Sequence, residues 1–512
     1  MESHRIFNGT LAGHRDSHKF RGNTCRERCR PRAVQNPNYK EIQPRIGLAY
    51  QLGPSTVIRG GFGRFAQASF LTGGQNGFSR STNLNTTTDN NRTYYDTLDN
   101  PYRDGILSPT GASLGPLTNL GQGVNWTNPD PGRFHSWEYS LHLQHQIRGW
   151  LFELGYTHNK TYDITQDLNR NLPSFALWKQ YLSPANNFDA NGRPLDTLLW
   201  NTLVPNPFRG LPNVTGSVST NSTVSMNQLL NPVSILGGIT ENNNPWGKNQ
   251  YDAMLVKVEH RFTRGFSVIN SFTWSKLFED TSWTGPEIAG RNVEHKLGGE
   301  DRPFHLSIAP IWQIPVGRNQ KLWSSMPRAA DFVLGGWQLS GQFGIQSGVP
   351  VVFGADSFFS GTDFALAHNQ QTLSQWFDTT QFIRFPAKNT DISNYPAWTG
   401  IQSMPGYDYK PKTGDTITNG VYQDFASYIR NYPTRWGDVR ASRVNNVDAV
   451  ISKAFSVREK VKFQYRFEVY NAFNHVRFGG PNTDPTSASF GKVDPTEQNN
   501  ARLVQMALKL SF

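Results

Sequence analysis

VKFQYRFEVYNAFN, residues 461–474, alternates more cleanly than any other stretch of the chain. Val461, Phe463, Tyr465, Phe467 and Val469 take the odd positions, and Lys462, Gln464, Arg466 and Glu468 fall between them. Successive side chains of a β-strand point to opposite faces, so this order makes one aromatic-rich apolar face and one wholly polar face. A soluble sandwich also alternates, but its buried face is aliphatic core. Its outer face rarely files Lys, Gln, Arg and Glu without a break. The stretch suits surroundings that are oily on one side and wet on the other.

The same period recurs from Pro44 onward. PRIGLAYQL sets Ile46, Leu48, Tyr50 and Leu52 against Arg45, Gly47, Ala49 and Gln51, and STVIRGGFGRF follows a short turn. SWEYSLHLQHQI sets Trp137, Tyr139, Leu141 and Leu143 against Glu138, Ser140, His142 and Gln144. Across Arg148-Gly149, WLFELGYTHNK sets Phe152, Leu154 and Tyr156 against Glu153, Gly155 and Thr157. YDAMLVKVEHRF opposes Met254, Val256 and Val258 to Lys257, Glu259 and Arg261, and FSVINSFTWSK carries Phe266, Val268, Phe272 and Trp274. FHLSIAPIWQI, GGWQLSGQFGIQ and VDAVISKAF continue the series. The closing ARLVQMALKLSF lines up Val504, Met506, Leu508, Leu510 and Phe512, with Gln505, Lys509 and Ser511 facing the other way. Each unit is close to the roughly 9–11 residues that a tilted strand needs to cross a bilayer.

The gaps between units alternate in length. Short turns lie near residues 53–55, 148–149, 263–265 and 457–460, with a medium one near 315–333. Long connections cover about 67–133, 161–249, 277–303, 347–446 and 475–501. Compact soluble domains have no reason to place every long loop at one end. Short periplasmic turns and long extracellular loops are the habit of outer-membrane barrels. The fold read from the sequence is therefore all-β: an antiparallel transmembrane β-barrel of about 11–12 strands, in the outer membrane of a Gram-negative cell.

Composition agrees with that reading. Hydrophobic residues make up 37% of the 512-residue chain, yet no run is long and apolar enough for a membrane helix. Barrel strands are apolar only at alternate positions, so a low mean hydropathy of −0.55 does not argue against a membrane. The 14 Trp and 18 Tyr suit interfacial belts. The expected aromatic girdle is Trp137, Tyr139, Tyr156, Trp274, Trp312 and Trp337. The expected lumen-facing polar row is Glu138, His142, Glu153, Lys257, Glu259, Lys462, Gln464, Arg466 and Glu468.

Much of the net charge of +11 sits early, in Arg15, Lys19, Arg21, Arg26, Arg28, Arg30 and Arg32. No recognition helix or RNA-binding signature follows, so nucleic acid is not an expected partner. Residues 1–40 read as a basic, disordered or non-native segment without the apolar region of a secretory leader; residues 41–512 read as barrel. An odd count of eleven strands, the first entering from the outer face, predicts that upstream strands belong to the same barrel.

Several motifs in order, PRIGLAYQLGPSTVIRGGFGRF, NQYDAMLVKVEHRFTRGFSVINSFTWSK and FQYRFEVYNAFNHVRFGGP with the closing LKLSF, resemble the Oar-like branch of the TonB-dependent receptors. The resemblance runs from about residue 40 to Phe512. It implies a parent barrel of about 22 strands closed by a plug, energised through TonB, with an extracellular ligand (glycan, peptide or protein) bound at the loops. It also implies that Val504, Met506, Leu508, Leu510 and Phe512 form the terminal signal read by the barrel-assembly machinery. No plug or TonB box is found in this chain, so TonB would act through a segment it lacks. The alternative, in another class, is a surface scaffold or adhesin that binds glycan or protein without transport.

Reaction chemistry finds no foothold. Gly61-x-Gly63-x-x-Ala66 lies inside an alternating strand, where a dinucleotide fingerprint needs a strand before and a helix after. Glu138, His142, Glu153 and His158 lack any metal-ligand spacing. Cys25 and Cys29 stand as CRERC with no further ligands to complete a site. No catalytic residues, metal or cofactor are expected, and no enzyme activity.

Overall fold

A computed structural model describes residues 41–67, 77–79, 82, 84, 92–130, 132–181, 201–281, 293–318, 320–354, 358–359, 363–383, 434–458, 461–484 and 487–511. The basic segment 1–40 with both cysteines, and Phe512, lie outside the described residues.

One sheet dominates. Its main path runs through eleven strands in strict chain order, every neighbour antiparallel. They are β1 (Arg45–Gly53), β2 (Thr56–Ala66), β3 (His135–Ile147), β4 (Trp150–Asn169), β5 (Ile239–Thr263) and β6 (Phe266–Asp280), then β7 (Phe304–Gln313), β8 (Trp337–Gln346), β9 (Val444–Arg458), β10 (Val461–Tyr470) and β11 (Leu503–Ser511). All eleven alternating units of the sequence are strands of this wall. Among the described residues β1 and β11 each have one partner strand, and the wall is open there. No described helix is long and apolar enough to cross a membrane, which says nothing against crossing with strands.

The register makes both faces continuous. One cross-strand row runs Leu48, Gly60, Leu141, Tyr156, Met254, Trp274 and Phe304. Another runs Ile451, Phe467 and Met506, with Leu339 and Trp312 beyond. A one-residue slip anywhere would turn a whole strand inside out, so the alternation itself fixes the pairing. The short turns complete it. Arg148 (φ 48°) with Gly149 (φ 87°), and Arg264 (φ 54°) with Gly265 (φ 82°), place two left-handed residues between strands, the conformation that matches strand twist in a two-residue hairpin.

The strands overrun the sequence reading at the long-loop end. β4 has 20 residues and β5 has 25, well past the length a membrane crossing needs. Ile164 pairs with Gly247, Gln166 with Asn244 and Leu168 with Glu241, through successive bulges. The expected loop 161–249 therefore begins and ends as ladder, and 277–303 begins inside β6. Apolar alternation stops there while backbone pairing continues.

Beyond that end, parts of the connections fold into a cap with its own core. Phe353, Phe364, Phe377, Phe382, Phe490, Val439 and Val493 are buried together, with Trp376 at the margin. The Phe353 ring lies 5.1 Å from Phe364 and 5.2 Å from Phe377, both edge-on, the favoured aromatic geometry. Ion pairs bolt the cap to the wall. Asp301, its side chain wholly buried, accepts from Arg440 Nη2 at 2.7 Å and from the Leu277 amide at 2.7 Å. Arg435 pairs with Glu279 at the end of β6. Asp378 caps the short turn Thr379–Gln381. Burial pushes its carboxyl up, but hydrogen bonds from the Thr380 hydroxyl and amide and from Gln381 outweigh it and hold the group below the ordinary carboxylate range.

Three substitutions test the cap. Phe353→Ala opens a cavity costing about 3–5 kcal/mol, and Asp301→Ala strands the Arg440 charge at a cost of about 3–5 kcal/mol. Limited proteolysis should show faster cutting in 347–446 with the wall fragments still protected. Because the Asp378 pKa is depressed, its contribution is present above the unfolded carboxylate value and lost as pH falls through the folded one. Asp378→Ala should therefore weaken the cap at neutral pH and make no difference in strong acid.

Candidate functional site

The polar face of the wall brings together most of the expected lumenal side chains in two groups. In the first, Glu153 on β4 accepts from His142 Nδ1 and from Gln144 Nε2 on β3, each at 2.8 Å. Lys257 stands directly across from Glu153 on β5 and reaches Glu259 at 3.0 Å. Glu138 accepts from Asn159 Nδ2 at 2.8 Å. These groups bond across strands because the register sets them opposite one another on one side. The second group lies on β10. Arg466 pairs with Glu468 at 2.7 Å, and Glu468 accepts from the Tyr470 hydroxyl at 2.8 Å. Lys462 faces Ser511, and Gln464 faces Lys509, across the β11 ladder. No bond joins the two groups among the described residues.

On the apolar face, Tyr156 and Trp274 share one row, Tyr139 lies one row further out and Trp137 one further still. Trp312 and Trp337 lie at the opposite, short-turn end. Trp312 pairs with Phe266, and Phe266 to Trp274 spans about 27 Å of strand. Two aromatic levels so spaced bracket an apolar band. Val504, Met506, Leu508 and Leu510 continue that face on β11, opposite Val469, Phe467, Tyr465 and Phe463.

His158 leaves its sequence companions. It lies on the apolar face, stacked at 4.4 Å on Tyr139 and bonded through Nδ1 to Asp252 at 2.6 Å, while Glu138, His142 and Glu153 face the other way. The Tyr156 hydroxyl and Gln250 also donate to Asp252. His158 shares parity with Tyr156, and Asp252 with Met254, so the register puts the pair on the apolar face. Among the described residues no group of three or more His, Cys, Asp or Glu could hold a metal ion.

Sequence reasoning also missed a cleft of about 810 Å³ where the cap meets β7, β8 and β9. Trp376 and Phe478 supply aromatic lining, and His368, Arg443, Asn445 and His475 supply polar groups. Asn445 Oδ1 and His475 Nδ1 are buried without a hydrogen-bond partner. Arg443 makes no ion pair among the described residues. Such a cleft can take a ligand that offers hydroxyl or amide donors and a negative charge. Its residues come from segments more than a hundred positions apart, and no local spacing announces it.

Comparison with known proteins places this architecture. P. aeruginosa FpvA bound to heterologous pyoverdines matches at 9% identity and a TM-score of 0.34, over 91% of this chain and 32% of that one. The outer membrane transporter YddB from Escherichia coli matches at 10% identity and 0.36, over 93% and 41%. The siderophore receptor PirA from Acinetobacter baumannii matches at 11% and 0.35, over 92% and 41%. The chain thus spans about a third to two-fifths of the length of these structures. No curated protein matches it. A family model described as an outer membrane beta barrel domain matches residues 7–505, and the chain belongs to that family, with its place in the outer membrane.

Proposed function

We propose that this chain forms part of the wall and the outer cap of a TonB-dependent, Oar-like receptor. It takes a ligand at the extracellular loops and passes it along the polar face of a plugged barrel. The apolar rows meet lipid, the polar rows line the lumen, and Trp137, Tyr139, Tyr156, Trp274, Trp312 and Trp337 lie towards the two headgroup levels. Residues 41–512 are the barrel portion in this reading. The observation that carries it is the one-sided placement of the long connections: all five leave the wall at the same end, and there 347–446 and 475–501 together build a cap beside a cleft. Among the described residues β1 and β11 each leave one edge unpaired, which supports a larger wall, since unpaired strand groups are not tolerated in hydrocarbon. No step in this function breaks a bond, so the protein acts as a receptor rather than an enzyme.

Cells carrying the full-length gene, with and without its TonB contact, test this. The receptor reading expects uptake to stop when the contact is deleted while surface binding persists. Uptake that continues unchanged sinks it, and cell adhesion as the sole affected trait would favour a scaffold.

The facing assignment yields its own outcome. Ile308, between the levels of Trp274 and Trp312, replaced by Arg should cost about 2–4 kcal/mol in detergent or bilayer unfolding. Gln342→Arg on the opposite face should stay within about 0.5 kcal/mol.

A further inference from the structure

The connection between β7 and β8, residues 314–336, is more than a turn. It contains a seven-residue helix, Arg328–Leu334, and that helix packs against the apolar face of the wall. Three contacts put it there. The Phe332 ring lies 4.9 Å from Phe455, Trp337 Nε1 donates to the Val333 carbonyl at 2.9 Å, and Lys453 Nζ donates to the Gly335 carbonyl. Trp337 and Lys453 are cross-strand partners on the apolar face, and Phe455 follows two residues after Lys453. A lysine on that face is costly unless its charge is met. Here the carbonyls at the end of the helix meet it, the end where backbone dipoles favour a cation. Lys453 is 4% exposed, so the helix is seated where the wall demands it.

What the helix does not bury is equally specific. Phe332 is 64% exposed, Val333 61%, Leu334 48%, and in the preceding loop Trp323 65% and Leu322 54%. Arg318, Lys321 and Arg328 are exposed around them and make no ion pair among the described residues. Asp331 is the only acid in 314–336, and its carboxylate accepts from the Arg318 backbone amide. Apolar and aromatic side chains ringed by cations, continuous with a face that meets lipid, match the chemistry of a membrane-surface anchor.

We propose that residues 314–336 form an interfacial foot that docks on anionic phospholipid of the periplasmic leaflet. Trp323, Phe332, Val333 and Leu334 sink to the headgroup boundary, and Arg318, Lys321 and Arg328 engage phosphates. The inference rests on the proposed assignment of the apolar face to lipid, and the test separates the two.

The full-length receptor of the proposed function, in which the edges of β1 and β11 are paired, is made with its native cysteines replaced by Ser and labelled with an environment-sensitive dye at Phe332→Cys or, separately, at Met506→Cys on the wall. It is then inserted into vesicles of phosphatidylcholine alone or mixed with phosphatidylglycerol. Lipids spin-labelled near the headgroup should quench the position 332 dye, more strongly with phosphatidylglycerol. Reversing Arg318, Lys321 and Arg328 to Glu should lower that anionic preference at least about tenfold, leaving the position 506 dye quenched as before. Quenching at 506 but not at 332 overturns the foot alone; quenching at neither position overturns the lipid-facing assignment. Equal quenching at 332 in both vesicles, or shielding that appears only as copies of the chain associate, overturns the anionic-lipid partner.

Discussion

Backbone pairing inside a bilayer is the constraint from which the rest of this structure follows. No water is present there to satisfy an amide or a carbonyl, so each strand must be bonded along its length to a neighbour. The ladder from β1 to β11 meets that demand without interruption, each strand beside the one that precedes it in sequence. Once the ladder is fixed, side-chain parity has a single consequence. One face is apolar between the two aromatic levels, with His158 and Asp252 paired to each other at one margin and Lys453 met by the Gly335 carbonyl at the other, and the opposite face can carry Glu153, Lys257, Arg466 and Glu468. The polar face needs no enclosing core because it bonds to itself, carboxylate to histidine, lysine and arginine.

Freed from that demand, the chain behaves differently at its two ends. At the short-turn end, two hairpins close on left-handed residue pairs, and the β7–β8 connection turns back onto the wall. At the other end, β4, β5 and β6 carry the ladder onward, and the cap replaces lipid with its own phenylalanine core. Asp301, Glu279, Arg435 and Arg440 sit at the junction, where wall and cap exchange charged hydrogen bonds in place of apolar contact. These buried pairs specify how the cap docks more than they stabilise it, because desolvating each charge offsets much of its attraction. The cleft holding Asn445 and His475 lies at this same junction.

The wall was legible in the sequence and the cap was not, for a physical reason. A strand between lipid and water must alternate at every residue, so the stretches around Phe463, Met254 and Leu141 announce themselves locally. Past Lys160 nothing apolar is required of alternate positions, and the continuation of β4 to Asn169 left no trace beyond propensity. Phe353, Phe377 and Phe490 meet in the cap from distant parts of the chain, and no period links them. The helix at Arg328–Leu334 is too short for a helical repeat to show, and its decisive partner, Lys453, lies far along the chain. Lys453 stands in VDAVISKAF between Ile451 and Phe455, at a position of apolar parity. A cation stands in that apolar row because the fold brings the Gly335 carbonyl onto it.

The most direct measurement is collisional accessibility along β10. Single spin labels would be placed in turn from Lys462 to Val469 in the membrane-inserted protein. Oxygen, which partitions into lipid, and a polar nickel complex, which stays in water, would serve as the two relaxants. The account predicts opposite oscillations of period two, with oxygen favoured at Phe463, Tyr465, Phe467 and Val469 and nickel favoured at Lys462, Gln464, Arg466 and Glu468. Oscillations in phase, or uniform exclusion of both relaxants from the odd positions, would show those side chains packed against protein and would contradict it.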